Sequence, residues 1–295
     1  MSVKVKPLLA CEVDPDKVNY PILVSVKLDG IRALVIDEVV YSRSLKPIRN
    51  KLVQRLFGKP KFNGLDGELV VGDIYAKDVF QKTTSGVMSE DAEEDVKFYV
   101  FDRWDMPDVA YEDRVKTLAE KTLTTAPILM LRQVLVNSAE ELQELLDIEK
   151  LNGGEGLIGR NPKGRYKYGR STPKEQLSVK FKFFEQDEFE VVGFTERMHN
   201  TNEAELDELG YTKRSSAQDG LVPMGTMGSI VLKYGDTTFA CGTGFTDEQR
   251  KEIWENQEFY LGKLASIRYM DVGAKDVPRV PSFVGWRHEE DMSNG

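Results

Sequence analysis

Short β-rich runs recur through the first part of the chain, and several of them are bounded by glycine. One pair of runs flanks Asp29-Gly30, a dipeptide typical of tight turns between strands. Two other segments mix apolar and polar residues at helical spacing, and Ser138 with Glu141 forms a capping box at the start of the second. The pattern predicts strands over 21–27, 31–37, 38–43, 65–71, 98–104, 156–160 and 176–182, and helices over 111–121 and 139–151.

The pattern changes beyond about residue 186, where short strands dominate. Thr246 is placed to cap one helix that extends to about Tyr260. Several short strands with a single helix are typical of a small Greek-key barrel of the OB type. The predicted strands cover 188–195, 229–234, 237–241 and 263–270, and we expect a domain boundary near 184–188.

Composition narrows the class of protein. The 295 residues are 40% hydrophobic and 30% charged, as in a soluble globular protein of about two domains. The sequence has no run of 18 apolar residues and no apolar signal peptide at its start, so we expect a cytoplasmic protein without a membrane partner. Two cysteines, far apart in sequence, disfavour a multi-thiolate zinc site and a disulfide framework.

Basic residues are concentrated in two segments, although the net charge is −9. Residues 43–55 contain five basic and no acidic residues, and residues 160–182 contain eight basic residues and one acid. Such segments on an acidic protein can form a local phosphate-binding stripe. Taken alone, they are more typical of two solvated loops, because charged segments are common on protein surfaces.

Candidate chemistry begins with the motif Lys27-Leu28-Asp29-Gly30-Ile31-Arg32 at the end of a predicted strand. A lysine is a nucleophile only in its neutral form, which burial or nearby positive charge favours. Alone, the motif also suits an exposed lysine before a hairpin turn. Four further motifs follow in order, at 65–68, 98–102, 155–160 and 178–182.

The last of these motifs places two lysines on one side of a strand. A period of two puts Lys180 and Lys182 on one face and Val179 with Phe181 on the other. Two ammonium groups on one face can hold a phosphate and favour the neutral form of a nearby lysine. Without the other motifs, a half-buried surface strand would explain the same alternation.

The five motifs resemble motifs I, III, IIIa, IV and V of the covalent nucleotidyltransferases. Over essentially its whole length the chain is similar to ATP-dependent DNA ligases, most closely the small two-domain viral and phage type. This resemblance implies an α+β fold, with a nucleotidyltransferase (ATP-grasp-like adenylation) domain over 1–186 and an OB-fold β-barrel over 187–295. It also implies sealing of 3′-hydroxyl/5′-phosphate nicks in duplex DNA through a lysyl–AMP and an adenylylated 5′-phosphate.

The resemblance implies a role for each matching residue. Lys27 would carry AMP, with Asp29, Lys180 and Lys182 as its catalytic neighbours. A magnesium or manganese ion would lie on Glu68 and Glu155, and Arg43 with Lys46 would hold the 5′-phosphate of the nick. The ATP-binding set would comprise Ser25, Arg32, Glu68, Phe101, Lys180, Lys182, Arg279 and Arg287.

Two features of the second domain bear on this resemblance. Residues 279–283 with Arg287 resemble motif VI, which engages pyrophosphate, but Glu290 stands where many relatives have lysine.

About thirty residues, 196–228, separate two predicted barrel strands, which is long for such a turn. The insertion resembles the hairpin latch by which small viral ligases close around DNA. We therefore expect 200–226 to be mobile without DNA and to order on the nick, whereas a disordered surface loop is the alternative.

Three other functions remain open from the sequence. An RNA ligase and a GTP-dependent capping enzyme share the motifs, although the barrel sequence, including 242–246, favours a DNA ligase. A non-catalytic nucleic-acid-binding relative is a third possibility, against which the intact lysines and glutamates argue.

The expected partner is nicked duplex DNA, bound by a monomer, and no clamp-binding peptide is visible in the sequence. The pathway, whether replication, repair or recombination, is not indicated, and a viral protein would act inside an infected host cell.

Overall fold

The computed structural model describes residues 5–122, 127–206, 212–215, 217–272 and 277–287. The main division of the chain into compact units falls between Lys182 and Phe183. No helix among these residues is long and apolar enough to cross a membrane. The predicted domain ranges 1–186 and 187–295 stay a prediction. Glu185 and Gln186 pair with a strand of the second unit, opposite Tyr269 and Arg268.

The first unit alternates short strands with four helices in its described residues. Its elements are β1 (Leu8–Leu9), β2 (Cys11–Glu12), β3 (Ile22–Val26), β4 (Ile31–Ile36), β5 (Val39–Ser42), α1 (Lys51–Phe57), β6 (Leu65–Val71), α2 (Val79–Met88), β7 (Val96–Arg103), α3 (Tyr111–Thr122), β8 (Ile128–Met130), β9 (Val134–Val136), α4 (Ala139–Leu151), β10 (Gly156–Arg160), β11 (Gly169–Arg170) and β12 (Ser178–Lys182). Every strand predicted from the sequence in this unit is present, with ends shifted by a few residues at most.

These strands form two five-stranded sheets and one short pair. One sheet has the order β2-β12-β10-β3-β9 and the other β5-β4-β6-β7-β8, while β1 pairs with β11. The second sheet is buried on both faces. Leu69 and Phe98 belong to the cluster that packs against the helices, whereas Val70 and Phe101 belong to a smaller cluster with Leu28.

The chain crosses from one sheet to the other through Lys27–Gly30, between β3 and β4. Gly30 is required there, because a Cβ atom at this position would lie 2.3 Å from the backbone oxygen of Leu69. The close approach of β6 therefore fixes the backbone that follows Lys27. As a result, side chains from both sheets reach the same space.

The second unit is built on one five-stranded sheet, of order β17-β16-β13-β18-β19. Its elements are β13 (Glu185–Asn200), β14 (Ala204–Leu206), β15 (Thr212–Arg214), β16 (Leu221–Tyr234), β17 (Thr237–Cys241), α5 (Asp247–Glu255), α6 (Gln257–Tyr260), β18 (Leu264–Val272) and β19 (Pro278–Trp286). Its core contains Ile230, Ile267 and Phe283. Among the described residues the sheet does not close into a full barrel, since a single bridge between Thr243 and Ser282 joins its edges.

The single helix predicted in this unit is interrupted. Thr246 caps α5 in a full capping box with Gln249, as the sequence indicates. The helix then breaks at Asn256, whose φ of −126° and ψ of 39° are not helical, and restarts as α6. The Glu252 carbonyl accepts both the Asn256 backbone amide at 3.1 Å and the Asn256 side-chain amide at 2.9 Å, so the side chain adds a cap to the last helical bond of α5.

The predicted insertion is continuous with two long strands. Strands β13 and β16 extend past the sheet and still pair at Met198 with Pro223 and at Asn200 with Leu221. Strands β14 and β15 form a second, two-stranded pairing in the same segment. Residues 207–211 and 216 lie outside the described residues. The mobility of 200–226 without DNA stays a prediction.

Candidate active site

A pocket of about 320 Å³ is lined by residues from both sheets of the first unit. The turn between β3 and β4 supplies Lys27, and the ends of β10 and β12 supply Glu155 and Lys182. Strand β6 supplies Glu68, and β7 supplies Phe101. The structure therefore brings together, in one cavity, residues that lie as far apart in sequence as Leu8 and Lys182.

Lys27 and Lys182 share one carboxylate. The Lys27 ammonium donates to Oε2 of Glu155, and Lys182 Nζ donates to Oε1 of the same group at 2.9 Å. The backbone sets this arrangement, because the Lys27 amide also donates to the Gly156 carbonyl at 2.8 Å. Gly156 has a φ of 135°, and a Cβ there would lie 2.0 Å from the Phe181 oxygen, so only glycine fits beside Glu155.

Charge keeps Glu155 ionised in this setting. Burial raises the pKa of its carboxyl, but Lys27 and Lys182 lower it by more, and the net pKa lies below its usual range. Glu155 is therefore a carboxylate that neutralises two ammonium groups. The sequence predicts that the charges of Lys180 and Lys182 favour the neutral form of Lys27. In the structure, the Glu155 carboxylate lies between Lys27 and Lys182 and contacts both.

Strand alternation orients β12 as predicted. Lys180 and Lys182 line the pocket, while Val179 and Phe181 are buried on the opposite face. Lys180 Nζ lies 2.9 Å from Oε1 of Glu12, on the neighbouring strand β2. Both lysines thus carry an acidic partner inside or beside the cavity.

Arg32 is fixed against the pocket wall by a buried carboxylate. Its Nε and Nη2 atoms donate to the two oxygens of Asp66 at 2.5 and 2.6 Å, and Nη2 also donates to the Leu8 carbonyl at 3.2 Å. Burial lowers the pKa of Arg32 and Asp66 raises it by more, so the guanidinium stays charged. This fork geometry holds the arginine in one orientation.

Glu68 differs from Glu155 in its ionisation. Burial raises the pKa of Glu68 to about 7, against the opposing effects of Arg32 and Lys27. Glu155 adds to the rise, because like charges disfavour ionisation of both carboxyls. The two predicted metal ligands thus interact electrostatically, and one of them titrates near neutral pH.

Ser25 and Phe101 lie in the same cavity with two arginines. The guanidinium carbons of Arg32 and Arg160 lie 4.6 and 4.5 Å from the centroid of the Phe101 ring. Arg160 also donates to Ser25 Oγ at 3.5 Å, and both Arg160 and Ser25 are buried. An aromatic ring, a hydroxyl and a donor-only cation therefore meet in one part of the pocket.

Comparison with known families decides the class of protein. A family model described as ATP dependent DNA ligase domain matches residues 7–182, more than half of the chain. The chain belongs to the ATP-dependent DNA ligases. A second family model, DNA ligase OB-like domain, matches residues 222–287 of this ligase. A search against curated proteins returned no match.

Solved structures similar to this ligase include two from Chlorella virus. One DNA ligase–adenylate is 32% identical over 97% of this chain and 100% of that one, with a TM-score of 0.55. The other is 34% identical over 97% and 99% of the two chains, with a TM-score of 0.54. A Lig E DNA ligase is similar in fold, with a TM-score of 0.73 at 24% identity over 97% of this chain and 100% of that one.

The remaining predicted residues of the first unit lie at the cavity or near it. Asp29 and Arg43 line the ligase pocket, and Lys46 is exposed in the turn that follows Arg43. The Ser42 amide donates to the Lys46 carbonyl at 2.9 Å, so a tight turn carries both basic residues. Leu45 has a φ of 60° in this turn.

The two motif VI arginines lie in the second unit. Arg279 pairs with Met270 across β18 and β19, and Arg287 donates to Oε1 of Glu188. Both side chains are exposed. Their contact with pyrophosphate stays a prediction, and Glu290 lies outside the described residues.

Several pocket residues were not predicted from the sequence. Leu8, Leu9 and Ala10 line the cavity, although their short strand gives no strong pattern. Arg160 was assigned to a basic segment and to the motif 155–160, and Asp66 to the motif 65–68, but neither residue was given a role of its own. The available indication for Arg160 was its place at the end of the motif 155–160.

The basic segments are more heterogeneous than their composition indicates. Lys51 pairs with Glu90 and Asp91 at 3.1 and 2.7 Å, and Arg55 pairs with Glu93 at 3.6 Å. In the second segment, acidic partners also meet Lys163, Lys167, Lys180 and Lys182, while Arg165, Arg170 and Lys174 are exposed.

Proposed function

We propose that Lys27 is the residue that becomes adenylylated when this ligase reacts with ATP. The observation that carries this proposal is the position of Lys27 Nζ in the cavity, in contact with a carboxylate that also holds Lys182 at 2.9 Å. A lysine with cationic neighbours and an enclosed nucleotide-sized space suits attack on a phosphate. ATP is the AMP donor.

The first step forms a P–N bond between Lys27 Nζ and the α-phosphorus, and it breaks the bond to the pyrophosphate oxygen. Lys27 releases its ammonium proton to water before the attack, and pyrophosphate leaves. Lys180 and Lys182 then stabilise the charge that develops on the α-phosphate oxygens. Asp29 lines the same cavity, beside the nucleophile.

The nucleotide would be held by the residues around the cavity. Phe101 would stack on the base, Ser25 would contact its edge, and Arg32 would contact the ribose and phosphate region. Arg279 and Arg287 would orient the pyrophosphate from the second unit. These assignments rest on the position of the first three in the cavity and on the motif resemblance of the last two.

Glu68 and Glu155 would hold the magnesium ion. Both line the cavity, and the charge of Glu155 contributes to the raised pKa of Glu68, which supports two interacting carboxylates at this site. Among the described residues, no group of three or more metal-ligating side chains converges. Two carboxylates fit Mg²⁺, which takes one or two of them together with substrate phosphates and water. A bound ion would supply charge neutralisation on the phosphates; Mn²⁺ suits the same ligands.

Nick sealing follows in two further transfers. The 5′-phosphate oxygen at the nick displaces Lys27 from the AMP phosphorus, which forms a pyrophosphate linkage on the DNA. The 3′-hydroxyl then attacks the 5′-phosphorus, loses its proton, and releases AMP. Arg43, with Lys46 next to it, would bind the 5′-phosphate, since a guanidinium binds phosphate by two parallel hydrogen bonds. The protein would act on nicked duplex DNA as a monomer in the cytoplasm.

Incubation with labelled nucleotides tests this proposal. Label from [α-³²P]ATP should remain on the denatured protein, and label from GTP should not. A defined duplex with one nick should then be sealed, and separate substrates with RNA in each strand show which strands are tolerated. Preferential labelling by GTP would favour a capping enzyme, and sealing confined to RNA strands would favour an RNA ligase.

A further inference from the structure

Tyr166 lies behind the pocket wall, in the segment between β10 and β11. Its side chain is buried, with 2% of its surface exposed. The hydroxyl donates to Oδ2 of Asp66 at 2.6 Å and accepts from the Leu8 backbone amide at 3.2 Å. Both hydrogen-bonding roles of this hydroxyl are therefore used inside the protein.

These bonds belong to a closed hydrogen-bond circuit of four residues: Arg32, Asp66, Tyr166 and Leu8. Arg32 Nη2 donates both to Oδ2 of Asp66 and to the Leu8 carbonyl. Tyr166 completes the circuit, since it bonds the same Asp66 oxygen and the amide of the same Leu8. A single hydroxyl thus links the carboxylate that orients Arg32 to the short strand β1.

Two members of the circuit face the pocket and two stand behind them. Of the described residues, Leu8 and Arg32 line the cavity, whereas Asp66 and Tyr166 do not. Asp66 is fully buried, so its carboxylate depends on Arg32 and Tyr166 for compensation. A change at Tyr166 can therefore reach the nucleotide only through the residues in front of it.

The hydroxyl is a permanent donor. Burial, followed by the charge of Asp66, raises the pKa of Tyr166 well above its usual range, so the proton stays on the hydroxyl at any working pH. The ring is held separately, by an edge contact with Tyr168 at 5.8 Å and by the Arg114 guanidinium carbon at 5.6 Å. Phenylalanine at this position would keep the ring contacts and lose only the hydroxyl.

We propose that Tyr166 is a positioning residue of the ATP pocket, which holds Arg32 through Asp66 and holds the Leu8 backbone beside it. The proposal rests on the proposed function, in which Arg32 contacts the nucleotide. Without the hydroxyl, Asp66 loses one of its two hydrogen-bond donors in the circuit and keeps only Arg32. The Leu8 amide loses its acceptor. Arg32 and β1 then lose their fixed spacing along the cavity.

The variant Tyr166→Phe tests this role in the self-adenylation reaction. We expect the KM for ATP to rise on the order of tenfold, with a smaller change in the maximal rate, because one buried hydrogen-bond network is disrupted. The matched control is Tyr168→Phe. Its hydroxyl donates to the Trp104 carbonyl at 3.2 Å, and it does not line the cavity, so the control should keep the parental KM.

A double-mutant cycle with Arg32→Lys separates positioning from general loss of stability. Lysine keeps a cation beside Asp66 but lacks the fork that bonds both carboxylate oxygens and Leu8. In that background Tyr166→Phe should raise the KM by less than it does in the parent, because the part of its effect that passes through the guanidinium is already lost. An equal rise in both backgrounds, or an unchanged KM in Tyr166→Phe alone, would overturn the proposal.

Equilibrium binding of ATP in the Lys27→Ala background measures the pocket without AMP transfer. The same tenfold weakening by Tyr166→Phe is expected there, and equal affinity with and without the hydroxyl would overturn the proposal. Absence of lysyl–AMP in the parent protein would count against the proposed function alone, since the binding comparison would still test Tyr166.

Discussion

Glu68 changes its charge state within the working range of pH. Its pKa of about 7 means that the carboxyl is mostly neutral below that pH and mostly ionised above it. We expect kcat/KM for ATP in self-adenylation to rise through a limb near pH 7, because this ratio reports the free enzyme and only the ionised group can bind a metal ion. Glu68→Gln should lose this limb. Identical pH profiles for Glu68→Gln and the parent would contradict the assignment.

The stability of the same variant provides the control. The folded-state pKa of Glu68 is raised above the usual 4.5, so the fold favours the neutral carboxyl and loses stability as pH rises from about 4.5 to 7. Glutamine imitates the neutral form. Glu68→Gln should therefore unfold at the same temperature as the parent or a higher one at pH 8. A lower unfolding temperature there would attribute the lost activity to misfolding.

Replacing Arg43 should separate the reaction with ATP from the reaction with DNA. Arg43→Ala should leave self-adenylation within about twofold of the parent, since ATP attack needs no DNA, and should lower nick sealing by more than tenfold, as expected for loss of a charged hydrogen bond. Arg49→Ala is the matched control, because Arg49 is exposed in the same segment and does not line the cavity. Equal losses in both reactions would place Arg43 in the nucleotide pocket instead.

For the pocket lysines, the sequence predicts which strand face they share but not which carboxylate they contact. Alternation along β12 predicted the shared face of Lys180 and Lys182, because strand period is a local property. The pairing of Lys27 with Glu155 was not predictable, since it depends on the register between β3, β10 and β12. Tyr166 was missed for the same reason: its partners lie 100 and 158 positions away.

At the scale of elements, strands were easier to predict than short helices. Strands such as β4 and β6 have continuous β-rich sequence bounded by turns, and both were found. Helix α1 was missed because it lies within a basic segment and its cap depends on Asn50, whose side chain accepts from Val53. Helix α2, with its threonines, serine and glycine, has low helical propensity and is set by packing of Val87 in the core.

The extension of the β13–β16 hairpin, residues 200–226, is expected to bind DNA. Replacing 200–226 with a short Gly/Ser turn should leave self-adenylation intact and lower nick affinity and sealing by at least tenfold, because the segment would lose its contacts to DNA while the pocket remains. Lys213→Ala with Arg214→Ala, both exposed on β15, tests charge alone and should cause a smaller loss. A replacement variant that binds and seals nicks like the parent would refute a clamping role.

Hydrogen exchange tests the conformational part of that prediction. Amides in 200–226 should exchange rapidly in the free protein and slow on nicked DNA, since ordering on the duplex would protect the hairpin hydrogen bonds. The pairs already present at its base, such as Asn200 with Leu221, should exchange more slowly than the tip in both states. Equal protection with and without DNA would contradict ordering on the nick.

At the scale of the whole molecule, the charge distribution determines how DNA binding responds to salt. We expect five basic residues of the two segments to contact DNA phosphates and together to contribute about −4.5 to the slope of log affinity against log salt. They are Arg43, Lys46, Arg165, Arg170 and Lys174. Arg165→Ala with Lys174→Ala should reduce the slope by about two.

The matched control for the salt experiment is Lys51→Ala with Arg55→Ala. These residues already face Glu90, Asp91 and Glu93, so their removal should change the slope little. An affinity for nicked duplex that stays flat from low to physiological salt would contradict the phosphate-stripe interpretation.

Covalent labelling shows whether Lys27 is the residue that carries AMP. Parent, Lys27→Ala and Lys116→Ala proteins are incubated with [α-³²P]ATP and magnesium and then denatured; Lys116 is an exposed lysine of the same unit, paired with Asp113 at 2.8 Å. We expect label on the parent and on Lys116→Ala and none on Lys27→Ala, which should still seal a pre-adenylylated nick. Label that persists on Lys27→Ala would show that another residue is the nucleophile.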